Sequence, residues 1–233
     1  MALRVLIVGY GRMGKEIEAL CDAHDCEVVE RLDIHNNTDG VGIDPARLPD
    51  VDVAIDFSTA DATIVNLPRL AAAGINTVIG TTGWNAEETA IKKVVAETGI
   101  GVVVAANFSL GVNLFQAIVE QAARMFAPLD EFGSWIHEAH HAAKIDAPSG
   151  TALALQDAMR SSGYEASIDM SSTRVGTTPG THTVGFDGPF ETVTLTHSTR
   201  NRATFARGAL EAARWVNGKQ GWYTMRDVLG LEQ

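Results

Sequence analysis

The chain has 233 residues, 45% of them hydrophobic and 20% charged, a length that suits one to two domains of about 150 residues each. That apolar content excludes a disordered chain, and the net charge of −11 excludes a general binder of nucleic acid or anionic membrane. No apolar run approaches the roughly 20 residues of a membrane span, no export signal precedes Val5, and Cys21 and Cys26 are too few for a disulfide framework, so a cytoplasmic protein is expected.

Residues 4–8 form a continuous apolar run closed by glycine, as a strand buried on both faces of a parallel sheet requires. Helical spacing follows over 13–24, with Ile17 and Leu20 facing a core. Strand patterns then recur at 27–33, 51–57, 76–79 and 101–105, with helices predicted over 60–73 and 86–97 and a loop rich in Asn, Asp, Gly and Pro over 35–49. Such alternation predicts a Rossmann-like, doubly wound α/β sheet. After Leu110 the pattern changes: an amphipathic helix over 112–127, a strand over 132–140, a helix over 151–161 and antiparallel strands over 181–186 and 192–199. This predicts a second, α+β unit. A last helix over 203–216 and a tail over 222–231 fit either unit by pattern alone.

Gly9-Tyr-Gly11-Arg-Met-Gly14 matches G-x-G-x-x-G directly after the first strand and at the start of the first helix. There, the first glycine permits a tight turn, the second admits a pyrophosphate to the backbone, and the third lets helix and strand pack closely. The helix N-terminus adds free N–H groups for the anion. Asp33 stands where an acidic residue should accept hydrogen bonds from the adenosine ribose. It would repel a 2′-phosphate, and no basic residue follows before Arg47, so NADH is favoured over NADPH, with Arg12 and Arg31 the nearby cations that bear on the choice. Gly80-Thr-Thr-Gly83 and Ala105-Ala-Asn-Phe108 follow the fourth and fifth strands and should face the same crevice. Expected cofactor contacts are therefore Gly9, Tyr10, Gly11, Arg12, Met13, Asp33, Gly80, Thr81, Thr82, Ala105, Ala106, Asn107 and Phe108.

The densest chemistry lies between His137 and Thr151, where His137, Glu138, His140, His141, Lys144 and Asp146 fall within ten residues. On a strand, His137 and His141 share one face while Glu138 and His140 share the other. His140 and Lys144 then supply a proton donor and a cation, and a helix beginning at Ser149 or Gly150 offers its N-terminus to a carboxylate. The set suits a small acidic substrate that receives hydride and a proton. His137-Glu138-Ala-His140-His141 also satisfies the H-E-x-x-H pattern of zinc hydrolases, which needs both outer histidines one helical turn apart. Gly133 and its aromatic and β-branched neighbours are poor helix material, and no metal is expected. Between His197 and Arg226 six basic residues face one acid, which reads either as a solvated helix face or as a site for a small anion.

Glu138-Ala-His-His141, Lys144 and Asp146-Ala-Pro-Ser-Gly-Thr-Ala152 together resemble the signature of the 4-hydroxy-tetrahydrodipicolinate reductases, historically the dihydrodipicolinate reductases. The resemblance extends to Gly80–Gly83, Ala105–Ser109, Thr196-His197 and Met225–Leu229. It implies NADH- or NADPH-dependent reduction of a cyclic imine dicarboxylate in the diaminopimelate route to lysine. It also implies a homotetramer, with a nucleotide-binding domain of residues 1–109 and 207–233 around a substrate-binding and oligomerisation domain of residues 110–206. By the same resemblance His140 is the catalytic acid or base, Lys144 a proton donor and electrostatic partner, His141 a substrate contact, and Gly150 and Thr151 the holders of a carboxylate. The chain departs from the family in the short loop after Asp33, which lacks an arginine some members carry there, and in the compact segment 176–185. A reductase or dehydrogenase of another amino or imino acid, a zinc hydrolase and a catalytically silent nucleotide sensor remain the alternative readings.

Overall fold

Residues 1–231 of the computed structural model are described, and they divide into two compact units. The first comprises Met1–Leu110 and the chain from Arg202 onward, and the second comprises Gly111–Asn201. In chain order the first unit contributes β1 (Leu3–Val8), α1 (Arg12–Cys21), β2 (Cys26–Leu32), β3 (Val53–Asp56), α2 (Ala60–Ala72), β4 (Asn76–Ile79), α3 (Glu88–Ala96) and β5 (Gly101–Val104). There follow α4 (Leu110–Phe126), β6 (Gly133–His140), α5 (Gly150–Ser161), β7 (Ile168–Arg174), β8 (Thr181–Asp187) and β9 (Thr192–Ser198). The chain then closes the first unit with α6 (Ala203–Val216), β10 (Gly221–Tyr223) and α7 (Met225–Val228).

The first sheet is wholly parallel, in the order β10-β5-β4-β3-β1-β2. The continuous apolar run of β1 is explained by burial on both faces. Val5 and Ile7 pack with Ile17 of α1 and Ala209 and Leu210 of α6, while Leu6 and Val8 pack with Leu32, Ile43, Ala54 and Leu70 on the other side. Helix α6 lies close because its inner positions are small: a Cβ at Gly208 would stand 1.7 Å from the Phe108 carbonyl oxygen. The last helix and tail therefore belong to the first unit, and the short strand β10, not foreseen in the sequence, extends its sheet beside β5.

The second sheet is mixed, in the order β7-β6-β8-β9, with only the β6–β7 pair parallel. Strand β7 is absent from the sequence-based expectation. Its register with β6 shows why. Ile168 and Met170 lie beside Ser134 and Ile136, but Ser172 and Arg174, on the same side, lie beside Glu138 and His140, so the hydrophobic alternation fails halfway along. The inner face thus has two layers. An apolar one holds Ile136, Ile168, Val184 and Phe186 with Phe115, Val119, Leu155 and Met159, and a polar one at the other end holds Glu138, His140, Ser172, Arg174 and His182.

Candidate active site

In the first unit, strand order reverses between β1 and β3, the switch point at which open parallel sheets bind ligands beyond the strands' carboxyl ends. A cavity of about 400 Å³ opens there. Gly9, Tyr10 and Gly11 line it after β1, Asp33, Ile34 and His35 after β2, and Phe57, Ser58 and Thr59 after β3. The three glycines do three different things. Gly9 has φ of +90° and a Cβ there would stand 2.5 Å from the Phe57 carbonyl oxygen, a Cβ at Gly11 would meet nothing within 4 Å, and one at Gly14 would strike the Gly9 carbonyl oxygen at 2.6 Å. Gly11 also caps α1 with no side-chain hydrogen bond, and the first turn carries no acid, so its N–H groups remain for an anion. These features fit a dinucleotide's pyrophosphate. Asp33 is held in a local turn, one carboxylate oxygen accepting from the His35 N–H at 2.8 Å.

A second groove, of about 340 Å³, gathers Arg12, Met13, Phe57, Ser58, Thr59, Gly80, Thr81 and Thr82. Its organiser is Asp56, which the sequence reading passed over. Buried at the end of β3, it accepts from Ser58 N–H at 2.8 Å, Ser58 Oγ at 2.6 Å and Thr81 Oγ1 at 3.1 Å, tying the loops after β3 and β4 together. The visible signal was an acid closing an apolar strand. Of the expected contacts after β5, Ala106 is exposed and Ala105 half-buried, whereas the Phe108 side chain lies in the core, 5.8 Å from the Phe57 ring. The Asn107 Oδ1 accepts from Ser109 N–H at 2.8 Å.

Arg31 leaves β2 on the α1 side, where the Glu18 carboxylate accepts hydrogen bonds from both its guanidinium and the Tyr10 hydroxyl. The guanidinium carbon also stands 5.7 Å from the Tyr10 ring centroid, with Lys15 Nζ at 5.9 Å. The hydrogen bonds from Arg31 and Tyr10 hold Glu18 below the usual carboxylate range. The Arg31 guanidinium is therefore already engaged.

In the second unit, the alternation of β6 turns Glu138 and His140 to the inner face, as expected. The Glu138 side chain has no exposed surface. One oxygen meets His140 Nδ1 and the other accepts from Arg174 Nη2 at 2.7 Å. Burial pushes the Glu138 carboxyl up, but hydrogen bonds from Arg174, Ser172 and His140 outweigh it and hold the group down at about 2. Burial moves His140 below the usual imidazole range against the pull of Glu138, with the charges of Lys144 and Arg174 adding to the decrease. Arg174 Nη2 also donates to the Asp146 carbonyl at 2.5 Å, tethering the loop that carries Lys144. Lys144 Nζ pairs with Asp146 Oδ1 at 2.8 Å, and a turn bonds its N–H to the His141 carbonyl at 3.0 Å.

His182 of β8 completes the layer, its ring 5.1 Å from that of His140 and its Nε2 sharing a 3.1 Å hydrogen bond with Ser149 Oγ. Burial, and then the nearby His140, lower it to about 4. Ser149 is the extended N-cap of α5, and its Oγ accepts from Ala152 N–H at 3.2 Å. The N–H groups of Gly150 and Thr151 are among those that no intrahelical bond can satisfy, which leaves the start of α5 as the end of that helix suited to an anion. Neither Arg174 nor His182 carried a sequence signal, because each reaches the cluster only through strand pairing.

The H-E-x-x-H reading fails on geometry. Residues 133–140 are a strand, His137 turns away from Glu138 to share a 2.9 Å hydrogen bond with Ser171 Oγ, and His141 lies beyond the strand's end. Donor atoms of Glu138, His140 and His182 do lie within 4.8 Å of one another, but both Glu138 oxygens are engaged, one by a guanidinium that would repel a cation. The late cationic segment is likewise partly consumed: Arg214 pairs with Asp25 at 2.9 Å and Lys219 Nζ sits 4.5 Å over the Trp215 ring.

A parallel sheet with this glycine turn, an acid ending the second strand, and a separate unit carrying a histidine–lysine layer define a nicotinamide-dependent oxidoreductase. The comparisons narrow the class. The family models for the N-terminus and the C-terminus of dihydrodipicolinate reductase match residues 3–108 and 111–229, respectively. The 4-hydroxy-tetrahydrodipicolinate reductase of Christiangramia forsetii is 33% identical over 97% of this chain and 98% of its own. Those of Afipia carboxidovorans and Methanosarcina mazei are 39% and 38% identical, over 98% and 95% of this chain and 97% and 96% of theirs. A dipicolinate-bound dihydrodipicolinate reductase from Paenisporosarcina sp. TG-14 shares the fold, with a TM-score of 0.77, 22% identity and coverage of 96% of this chain and 98% of that one. The chain belongs to the dihydrodipicolinate reductase family. Among the described residues no helix is long and apolar enough to cross a membrane.

Proposed function

We propose that the protein reduces 4-hydroxy-tetrahydrodipicolinate to tetrahydrodipicolinate in the diaminopimelate route to lysine, with NADH as the preferred cofactor, as a cytoplasmic homotetramer. The observation that carries the reading is the polar layer of the second sheet, where His140, ordered by Glu138, stands near Lys144 and the start of α5 in a chain of this family. In this reading Gly9, Tyr10, Gly11 and the first turn of α1 hold the pyrophosphate, and Asp33 accepts the ribose hydroxyls. Gly80, Thr81 and Thr82, with Arg12, Met13 and the backbone of 105–108, take the remainder of the cofactor. When bound, the nicotinamide supplies the hydride. The chain's own residues supply the rest. The N–H groups of Gly150 and Thr151 take one substrate carboxylate and His141 contacts the ring. The Lys144 ammonium meets the charge that develops as the ring is reduced, His140 or Lys144 delivers the proton, and the 4-hydroxyl group of the substrate leaves as water. The Lys144 ammonium is paired with Asp146, whose carboxyl it holds below the usual range.

Support for NADH over NADPH comes from Asp33 in the cavity wall and from Arg31 being bound by Glu18 instead of standing free for a phosphate. The test is spectrophotometric oxidation of NADH and NADPH with enzymatically generated substrate. NADH oxidation that depends on that substrate is expected, with a higher kcat/KM than for NADPH. Absence of substrate-dependent oxidation with either cofactor sinks the reaction, and a higher kcat/KM for NADPH sinks the preference. Sedimentation velocity tests the tetramer.

A further inference from the structure

From the same polar layer we infer that Glu138 and Arg174 are a positioning pair for proton transfer, fixing His140 in one tautomer and tethering the Lys144 loop. The inference rests on the proposed role of His140, but its geometry stands apart from it. A carboxylate only accepts, so the Glu138 contact places the hydrogen of His140 on Nδ1 and leaves Nε2 to exchange a proton. The space before Nε2 is kept by Gly180, whose φ is +139° and where a Cβ would stand 3.1 Å from Nε2. Glu138 cannot turn away, because its second oxygen is bound by Arg174 and the site has no water-exposed alternative.

Arg174 does two tasks with one nitrogen, since Nη2 donates both to Glu138 and to the Asp146 carbonyl. Histidine and lysine are thereby referenced to the same guanidinium. The charged and titratable groups around His140 are Glu138 on its own strand, Arg174 on β7, His182 on β8 and Lys144 in the loop after β6. Three of these are cations or potential cations; Asp146 pairs with Lys144, and Glu138 is the acid bonded to the His140 ring itself. Glu138→Gln removes that acid, and its amide nitrogen can donate to Nδ1 and so favour the opposite tautomer.

The experiment is ¹⁵N-resolved NMR of the histidines with steady-state kinetics on full-length wild type, Glu138→Gln, Glu138→Asp and Arg174→Lys, each checked for fold by circular dichroism and for NADH affinity. In wild type the His140 resonances should report the Nδ1–H tautomer. In Glu138→Gln the His140 titration should move to lower pH and kcat should fall at least tenfold, with NADH affinity unchanged. Glu138→Asp should recover part of both, and Arg174→Lys should lower kcat in the same direction even if Glu138→Gln does not fold. A folded Glu138→Gln protein with unaltered His140 shifts and titration overturns the pairing. A moved titration with unchanged kcat upholds the pairing and overturns the role proposed for His140 in the reaction.

Discussion

Two carboxylates mark the difference between the two units. Asp33 sits at the mouth of an open cavity, and its carboxylate accepts from the N–H of a residue two positions along. Glu138 is sealed from solvent and held by side chains of its own strand and of one 36 positions away. The first unit makes its site from backbone: a glycine turn, a helix end and a strand terminus, all set by local sequence. The second makes its site from side chains that meet only after three strands, β6, β7 and β8, have paired. A backbone site tolerates much change around it and loses affinity in small steps, whereas a shared side-chain layer fails as a unit.

Lys144→Ala tests this contrast most strongly. It should lower kcat by roughly 10²- to 10⁴-fold, the usual range for a lost acid–base group, while NADH binding measured by fluorescence stays near wild type. A parallel loss of NADH affinity would break the separation of roles. Asp33→Ala is the mirror experiment: NADH should bind more weakly by about 1–3 kcal/mol, with kcat at saturating cofactor little changed. Unaltered NADH affinity removes Asp33 from the cofactor site.

The polar layer should also come apart in acid, in two stages. His182 falls from its ordinary 6.5 to about 4 on folding, so between those values the unfolded chain binds the extra proton and stability drops as pH falls. Glu138 is lowered from 4.5 to about 2, so its contribution is whole above 4.5 and is lost as pH descends toward 2. The melting temperature should therefore be flat between about pH 7 and the onset of thiol ionisation near 9, and decline in two stages below that range, the upper one diminished in His182→Asn. An unchanged upper stage in that variant shows that His182 does not drive it. The smallest effect is expected from Glu18→Gln, which loosens Arg31 beside the cofactor cavity. Binding of 2′,5′-ADP should tighten a few-fold relative to 5′-AMP by calorimetry, and an unaltered ratio removes Arg31 from cofactor choice.

The same division explains what could be read in advance. Residues 4–14 and 33 were legible because a buried strand, a glycine turn and an acid at fixed spacing obey short-range rules. The facing of Glu138 and His140 followed from strand alternation. What escaped was what only pairing creates. Arg174 ends a strand whose inner positions run Ile168, Met170, Ser172, Arg174, a sequence with no hydrophobic period, and its meaning comes from the neighbour at each step. Asp56 looked like the end of a strand, and its role appears only when Ser58 and Thr81 converge on it. Strand β10 is three residues long and gains its place from the edge of β5.

Insertion of the second unit between β5 and α6 has a consequence for synthesis. Helix α6 covers Val5, Ile7, Val53 and Val78 and supplies Ala209, Leu210 and Ala213 to their core, and β10 supplies the strand beside β5. A ribosome releases the first five strands early but delivers their cover only after the whole of Gly111–Asn201 has emerged. Until then one face of the parallel sheet lacks its largest helix, so the nascent chain presents a surface that chaperones bind and proteases reach. Premature termination within the inserted unit should for that reason yield not a smaller working domain but a fragment marked for removal.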